Sequence, residues 1–279
     1  MPPWFSGMPM TDVDIAGLGV WTENYSGWGE FCAALDGVIS DTKPVLKPEL
    51  IPPKERRRAP QPVKMAVEVM DQACRMAGLE PANVATVFAS AVGDMQITDY
   101  MCRTLADAPR TISPTRFHNS VHNAATGYWS IATQSHCAAG AISGYANSAA
   151  VAMLDGAIQA VEEQMPVLVA VQEIAAPPPL DEIYTWPGPF AAAMLLTPPG
   201  YTSSAVASLR LQVVAGSVEE LQVPEVAGVD LSGNPAASLL ALFTSIEQQS
   251  DAELQFPLTR HSSLRATIVT GCQPTQAHS

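Results

Sequence analysis

Basic residues are scarce in this chain: 14 Lys and Arg stand against 27 Asp and Glu, for a formal net charge of −13. That balance repels nucleic acid and anionic membrane surfaces, so neither is expected as a partner. Cysteine is sparse and unpatterned. Cys32, Cys74, Cys102, Cys137 and Cys272 are odd in number and never spaced as CxxC. This argues against a disulfide framework or a zinc knuckle and fits a reducing, cytoplasmic setting. No apolar run approaches membrane-spanning length. The opening "MPPWFSGMPMTDVD" lacks the basic and apolar regions of a signal peptide, and residues 1–12 are expected to be disordered. There is no short-period repeat and no low-complexity tract.

What the chain does have is apolar material. It is 47% hydrophobic and only 15% charged, enough for a sizeable core, with a surface that another chain could cover. Its 279 residues are read as one domain spanning 1–279. Prolines gather in two loops, "KPELIPPKERRRAPQP" and "APPPLDEIYTWPGP". Between them, strands alternate with helices. "DIAGLGVW" (Asp14–Trp21), "VATVFASAV" (Val84–Val92), "VLVAVQE" (Val167–Glu173), "FAAAMLLTP", "VASLRLQVVAG" and "SLRATIVTG" read as strands. Pro62–Leu79 carries Met65, Val69, Ala73 and Met76 at helical spacing, with Gly78 as its C-cap. Asn119–Thr133 and Asn234–Gln249 are predicted helices. So is Asn147–Gln164, whose apolar stripe runs Val151, Leu154, Ile158, Val161, with Asn147 as N-cap and Pro166 as stop. The alternation predicts an α/β fold with a layered sheet.

"SHCAAGAISGYANSAA" (Ser135–Ala150) raises the question of a nucleophile. A thiol between a strand and a helix N-terminus is activated by the helix dipole and the free N–H groups. Cys137 looks like such a thiol, but the periodic face and the best cap put the helix start at Asn147. The turn then falls at Gly144–Tyr145–Ala146. Cys137 sits a strand-length too early, and Ala146 cannot attack.

With those residues placed, the chain resembles stand-alone, N-terminal-half relatives of the β-ketoacyl synthases, of the kind found with aryl polyene and related type II fatty-acid-like systems. "IAGLGVWTENYSGWGEF" is similar to the opening strand and loop of that family. "PPKERRRAPQPVKMAVEVMDQACRMAGL" is similar to its arginine-rich lead-in and first long helix, and "RFHNSVHNAATGYWSIAT" to the helix before its active-site strand. The ketosynthase pattern Thr-Ala-Cys-Ala-x-Gly falls on Gly144–Ala149, with Ala146 at the cysteine position. His261 and His278 follow without a recognisable motif. The resemblance implies a thiolase-like layered α-β-α fold, the N-terminal half (one repeat) of a ketosynthase, with no cofactor. It implies a non-catalytic, chain-length-factor-like subunit that pairs as a heterodimer with a full-length β-ketoacyl synthase and shapes the acyl or polyene pocket. An acyl carrier protein is a further implied partner. The alternative is an acyltransferase, thioesterase or condensing enzyme using Cys137 with His118, His122 or His136.

Other residues carry two readings each. His118 and His122, four apart, could share a helix face as metal ligands, but no third ligand is near, so hydrogen-bonding roles beside Asn119 and Asn123 are expected. Asn119, His122, Asn123, Thr126, Tyr128, Trp129 and Tyr145 are candidates for the acyl pocket or dimer interface; Tyr128 and Trp129 could equally be core aromatics. Lys54, Arg56, Arg57 and Arg58 form the one basic cluster, either a carrier-docking patch or a solvated loop. Ser148 reads as first-turn helix chemistry, and Ser143 has no base in view.

Overall fold

The computed structural model describes residues 10–219 and 221–271. In chain order they form β1 (Thr11–Thr22), α1 (Trp28–Leu35), α2 (Pro53–Arg56), α3 (Gln61–Ala77), β2 (Ala85–Ala89), α4 (Met95–Asp107), α5 (Pro114–His118) and α6 (Ala124–Thr133). There follow β3 (Ala139–Ile142), α7 (Ser148–Glu163), β4 (Val167–Glu173), β5 (Phe190–Thr197), β6 (Ala207–Ala215), α8 (Leu240–Glu247), β7 (Ala252–Thr259) and β8 (Ser262–Thr270). One sheet runs in the order β3-β2-β4-β5-β1-β6-β8-β7. β2 pairs in parallel with β3 and β4, and every other pairing is antiparallel.

Two cores flank this sheet. β4 and β5 are buried along their whole length, as strands covered on both faces must be. On one face Leu168, Ala170 and Leu195 meet α3 and α6 through Met65, Val69, Ala73 and Trp129. On the other, Val169, Val171 and Met194 meet α7 through Ala149, Met153, Ala157 and Ala160. The strands β6, β8 and β7 extend the sheet and curl over the same helix. Leu209, Phe256, Leu264 and Ile268 join α7 and α8 in this second core. The low charge fraction had suggested a large apolar face left open for a missing second repeat, but much of α7 is instead covered by the chain's own C-terminal strands and by residues 235–247.

The predicted elements match well where periodicity was strong. The helix expected over Asn147–Gln164 is Ser148–Glu163, and that expected over Pro62–Leu79 is Gln61–Ala77, closing on Gly78 in the left-handed region. The helix expected over Asn119–Thr133 divides. Asn119 ends α5, a turn follows, and α6 starts at Ala124. His118 and His122 therefore do not share a helix face. Thr11 and Asp12, expected in a disordered leader, already pair with Leu211 and Arg210; residues 1–9 lie outside the described residues, as do Cys272 and His278. β7 was not anticipated. Pro257 lies within it, which reads as a strand breaker, yet β7 is an edge strand where a missing N–H costs nothing. α4 also escaped notice, although Asp94 caps it by accepting from the Ile97 N–H at 2.9 Å.

The glycines of "IAGLGVW" explain how closely β1 and α3 pack. A bulge between Ile15 and Gly17 turns Gly17 and Gly19 toward α3. A Cβ at either would collide with a helix carbonyl, that of Ala73 or Val69. The obstruction is backbone and cannot swing away. Gly19→Ala is expected to lower unfolding free energy by about 3 kcal/mol, measured as a shift in urea midpoint at constant slope. An unchanged midpoint would mean that α3 slides freely on β1.

Candidate functional site

The ends of β2, β3 and β4 and the start of α7 meet at one point. The turn Ser143–Asn147 leaves β3 and enters α7 with Tyr145 at φ 52°, a left-handed conformation that a non-glycine residue rarely holds. Ser148 secures it: its Oγ accepts from the Gly144 N–H at 3.0 Å and donates to the Tyr145 carbonyl at 2.7 Å. Ser143 Oγ donates to the Ala91 carbonyl at 3.1 Å, tying the turn to the end of β2. Asn147 occupies the N-cap position without a side-chain cap bond; its Nδ2 donates instead to the Leu258 carbonyl in β7 at 3.1 Å. Ala146, half-buried, sits at the helix entrance between them.

A cleft of about 440 Å³ opens over Ala146. Tyr145 is 55% exposed on its rim. It stacks edge-on to Tyr184 at 6.5 Å, and Tyr184 lies 5.6 Å from Trp186. Trp186 is fixed by donating from Nε1 to the Ile174 carbonyl at 2.8 Å. Phe256, Asn234 and Ser238 supply the facing wall, and no histidine lines the cleft. Among the described residues the walls offer aromatic faces and neutral polar groups, an environment that suits an uncharged ligand.

Beneath the turn lies a buried carboxyl. Glu173 is 1% exposed. It accepts from the Ala91 N–H and from Ser90 Oγ. Burial, outweighing those hydrogen bonds, pushes its pKa up to about 8. His122 is linked to the same strand end, its Nε2 lying 3.1 Å from the Ser90 carbonyl. None of Ser90, Gln172 or Glu173 was singled out from sequence. The signal was there: "QE" closing an otherwise apolar central strand.

The other sequence candidates fall elsewhere. Cys137 precedes β3, at the opposite end of that strand from Ala146, and its Sγ is 3.6 Å from the Ala82 carbonyl. Tyr128 and Asn123 line a groove of about 510 Å³ along α6. The Tyr128 hydroxyl donates to Asn119 Oδ1 at 3.2 Å, and Asn119 Nδ2 donates to the Arg58 carbonyl at 3.1 Å. Thr126 is buried and donates to the Asn123 carbonyl. Of the two readings open for Trp129 the structure has the core one: it is fully buried among α3 and β4 side chains. The i, i+4, i+8 series Asn123, Gly127 and Ile131 is the exposed stripe of α6. In the basic cluster, Arg56 is 3.5 Å from Glu49 and Arg58 is 3.8 Å from Glu55, and Arg57 donates to the Pro53 carbonyl. Lys54 is exposed and makes no ion pair among the described residues. Among those residues no group of three or more His, Cys, Asp or Glu is placed to hold a metal, and no helix is long and apolar enough to cross a membrane.

Residues 28–260 match the family described as β-ketoacyl synthase, N-terminal domain. The chain belongs to that family. The fold is also that of solved ketosynthase structures. A chain of the complex between the ketosynthase ApeO and its chain length factor ApeC from Xenorhabdus doucetiae is 20% identical, with 91% of this chain and 98% of that one covered at TM-score 0.65. A β-ketoacyl synthase from Burkholderia phymatum superposes at TM-score 0.71 with 10% identity, covering 94% of this chain and 100% of that one. The ishigamide ketosynthase/chain length factor gives TM-score 0.67 at 13% identity, covering 93% and 99%. No curated protein sequence matches the chain. The mixed α/β architecture with its eight-stranded sheet is thus that of a ketosynthase half-domain.

The buried carboxyl gives a pH prediction. A folded-state pKa of about 8 against the ordinary glutamate value of 4.5 means that the folded protein holds this proton more tightly than the unfolded chain. Its contribution to stability is full below pH 4.5 and lost as pH rises through 8. The urea midpoint of the wild type should fall over that window. Glu173→Gln should flatten this part of the profile, and identical slopes for the two proteins would show that Glu173 is ionised throughout.

Proposed function

We propose that this protein is a chain-length-factor-like partner of an active β-ketoacyl synthase, without condensing chemistry of its own. The observation that carries the reading is Ala146 at the strand-to-helix turn where the family's pattern places its cysteine. Among the described residues no cysteine and no histidine line the cleft above it, which supports a subunit without the thiol and imidazole of condensing chemistry. The partner would supply the thiol, and this chain would shape the pocket that receives a growing acyl or polyene chain in a polyketide or fatty-acid-like pathway, including the aryl polyene kind. Among the similar solved structures are ketosynthases with chain length factors.

Surface chemistry supports a partner at one edge. β3 ends the sheet and is paired only with β2; an open edge of N–H and C=O groups seeks a strand. On α6, which packs against β3, Ile131 is 73% exposed and lines the groove of about 510 Å³ together with Val121, 52% exposed; Phe117 in α5 is 62% exposed. Clustered exposed apolar side chains mark interaction surfaces. With α6 they form the face on which a ketosynthase would sit, and Tyr128 would border the shared pocket. An acyl carrier protein would visit the assembled complex; within the basic cluster Lys54 is the side chain least engaged by its neighbours.

Ile131→Asp is expected to leave the fold intact and to weaken ketosynthase association at least a hundredfold, read by co-purification and analytical ultracentrifugation. Full association would move the interface elsewhere. Cys137→Ala addresses the enzyme reading, in which the thiol is the nucleophile. Carrier-bound product formation in a reconstituted system should continue with this variant. Loss of product while the variant still folds and pairs would make Cys137 catalytic and end the silent-subunit reading.

A further inference from the structure

A second pocket, of about 170 Å³, lies between the start of α3, the ends of β2 and β4, and the turn before α6. Its walls are mixed. Val63, Phe88 and Ala125 give apolar surface, while Asp94, His122 and Gln172 give polar surface. Nearly every polar group there is already engaged. Both ends of the Asn119 amide are used, Asp94 accepts from the Ile97 N–H, Thr98 donates to the Asp94 carbonyl, Ser120 donates to the Phe117 carbonyl, and His122 Nε2 is held by Ser90.

Gln172 is the exception. It is 1% exposed, and its Oε1 has no hydrogen-bond partner. No described residue bonds its Nε2 either. Alternation along β4 puts Gln172 on the same face as Leu168 and Ala170, the face on which this pocket lies. Burying an amide without partners is unfavourable, so an unengaged amide lining a cavity signals a missing partner. The amide presents an acceptor, Oε1, and a donor, Nε2, both without a partner among the described residues, so a group that satisfies both must itself donate and accept. A hydroxyl or a carboxamide does so; an ammonium or a carboxylate does not. A dry cavity of about 150 Å³ accommodates benzene, so the space suits one six-membered ring.

We infer that this pocket is a binding site for a small, uncharged ligand, or ligand end, of single-ring size bearing a hydroxyl or carboxamide that pairs with Gln172. Charge supports neutrality. Asp94 is already engaged by the N-terminus of α4 and lies within reach of the Arg116 charge, leaving no free countercharge. The inference stands on this geometry and not on the partner-subunit reading; the pocket is lined by a different set of residues from the cleft over Ala146.

The test titrates the purified full chain with phenol, toluene and benzylamine, using calorimetry and side-chain amide NMR. Phenol should bind saturably and shift the Gln172 amide resonances. Toluene should bind at least tenfold more weakly, and benzylammonium not at all. Gln172→Leu removes the orphan amide and is expected to fold; it should lose at least tenfold in phenol affinity and invert the phenol–toluene order. Val92→Phe, which fills the pocket from its rim and keeps Gln172, should abolish phenol binding. Equal affinity for phenol and toluene, phenol binding undiminished by both variants, or no saturable binding because water satisfies Gln172, would each overturn the inference.

Discussion

Helix α7 has to be covered on more than one side, and much of the molecule follows from that requirement. Its face toward the sheet is built of small residues, Ala149, Ala152, Gly156, Ala157 and Ala160, which lets β4 and β5 approach closely. A Cβ at Gly156 would collide with a Val169 methyl group. A helix buried this deeply cannot present its outer flank to water without losing the apolar burial that holds it, worth about 1.5–3 kcal/mol for each large side chain. β6, β8 and β7 supply the cover by continuing the sheet past β1 and curling back, so that Phe256 and Ile268 share a core with Met153.

The same constraint fixes the site. Because α7 is clamped, its N-terminus and the turn that feeds it are held in one place. Ser143, Ser148 and Asn147 lock that turn to β2, to itself and to β7. The strained Tyr145 persists because its surroundings over-determine it. A turn of this kind presents one residue at the mouth of a helix dipole, where a thiol would be activated. In this chain the residue is an alanine. That alanine, at a turn built to present a side chain, is what the proposed non-catalytic role rests on.

The burden of solubility shifts to the opposite end of the sheet. At β3 the chain leaves backbone groups unpaired and apolar side chains exposed, features that folded proteins ordinarily blunt. A net charge of −13 keeps such a surface from associating indiscriminately. The open β3 edge and the closed α7 layer thus lie on different parts of one sheet.

Sequence alone determined the elements whose signals are local. The 3.6-residue stripe of α7, with its cap at Asn147 and stop at Pro166, gave the helix within a residue at each end, and from that start Ala146 fell at the turn and Cys137 a strand-length away. The resemblance in "RFHNSVHNAATGYWSIAT" pointed to the ketosynthase fold. Tertiary structure decided what depends on neighbours far along the chain. Trp129 and Tyr128 are adjacent in sequence, yet one is core and the other borders a groove, because only one faces α3. β7 forms despite Pro257 because it lies at an edge. Gln172 and Glu173 close an otherwise apolar strand, and their meaning comes from what surrounds them: a loop at the end of β2 that hydrogen-bonds the carboxyl and a cavity that leaves the amide without a partner. Periodicity reports which face of an element is apolar; it carries no information about what that face meets, since that is set by contacts between residues 50 to 200 positions apart, as when Asn147 in the turn reaches Leu258 in the last hairpin.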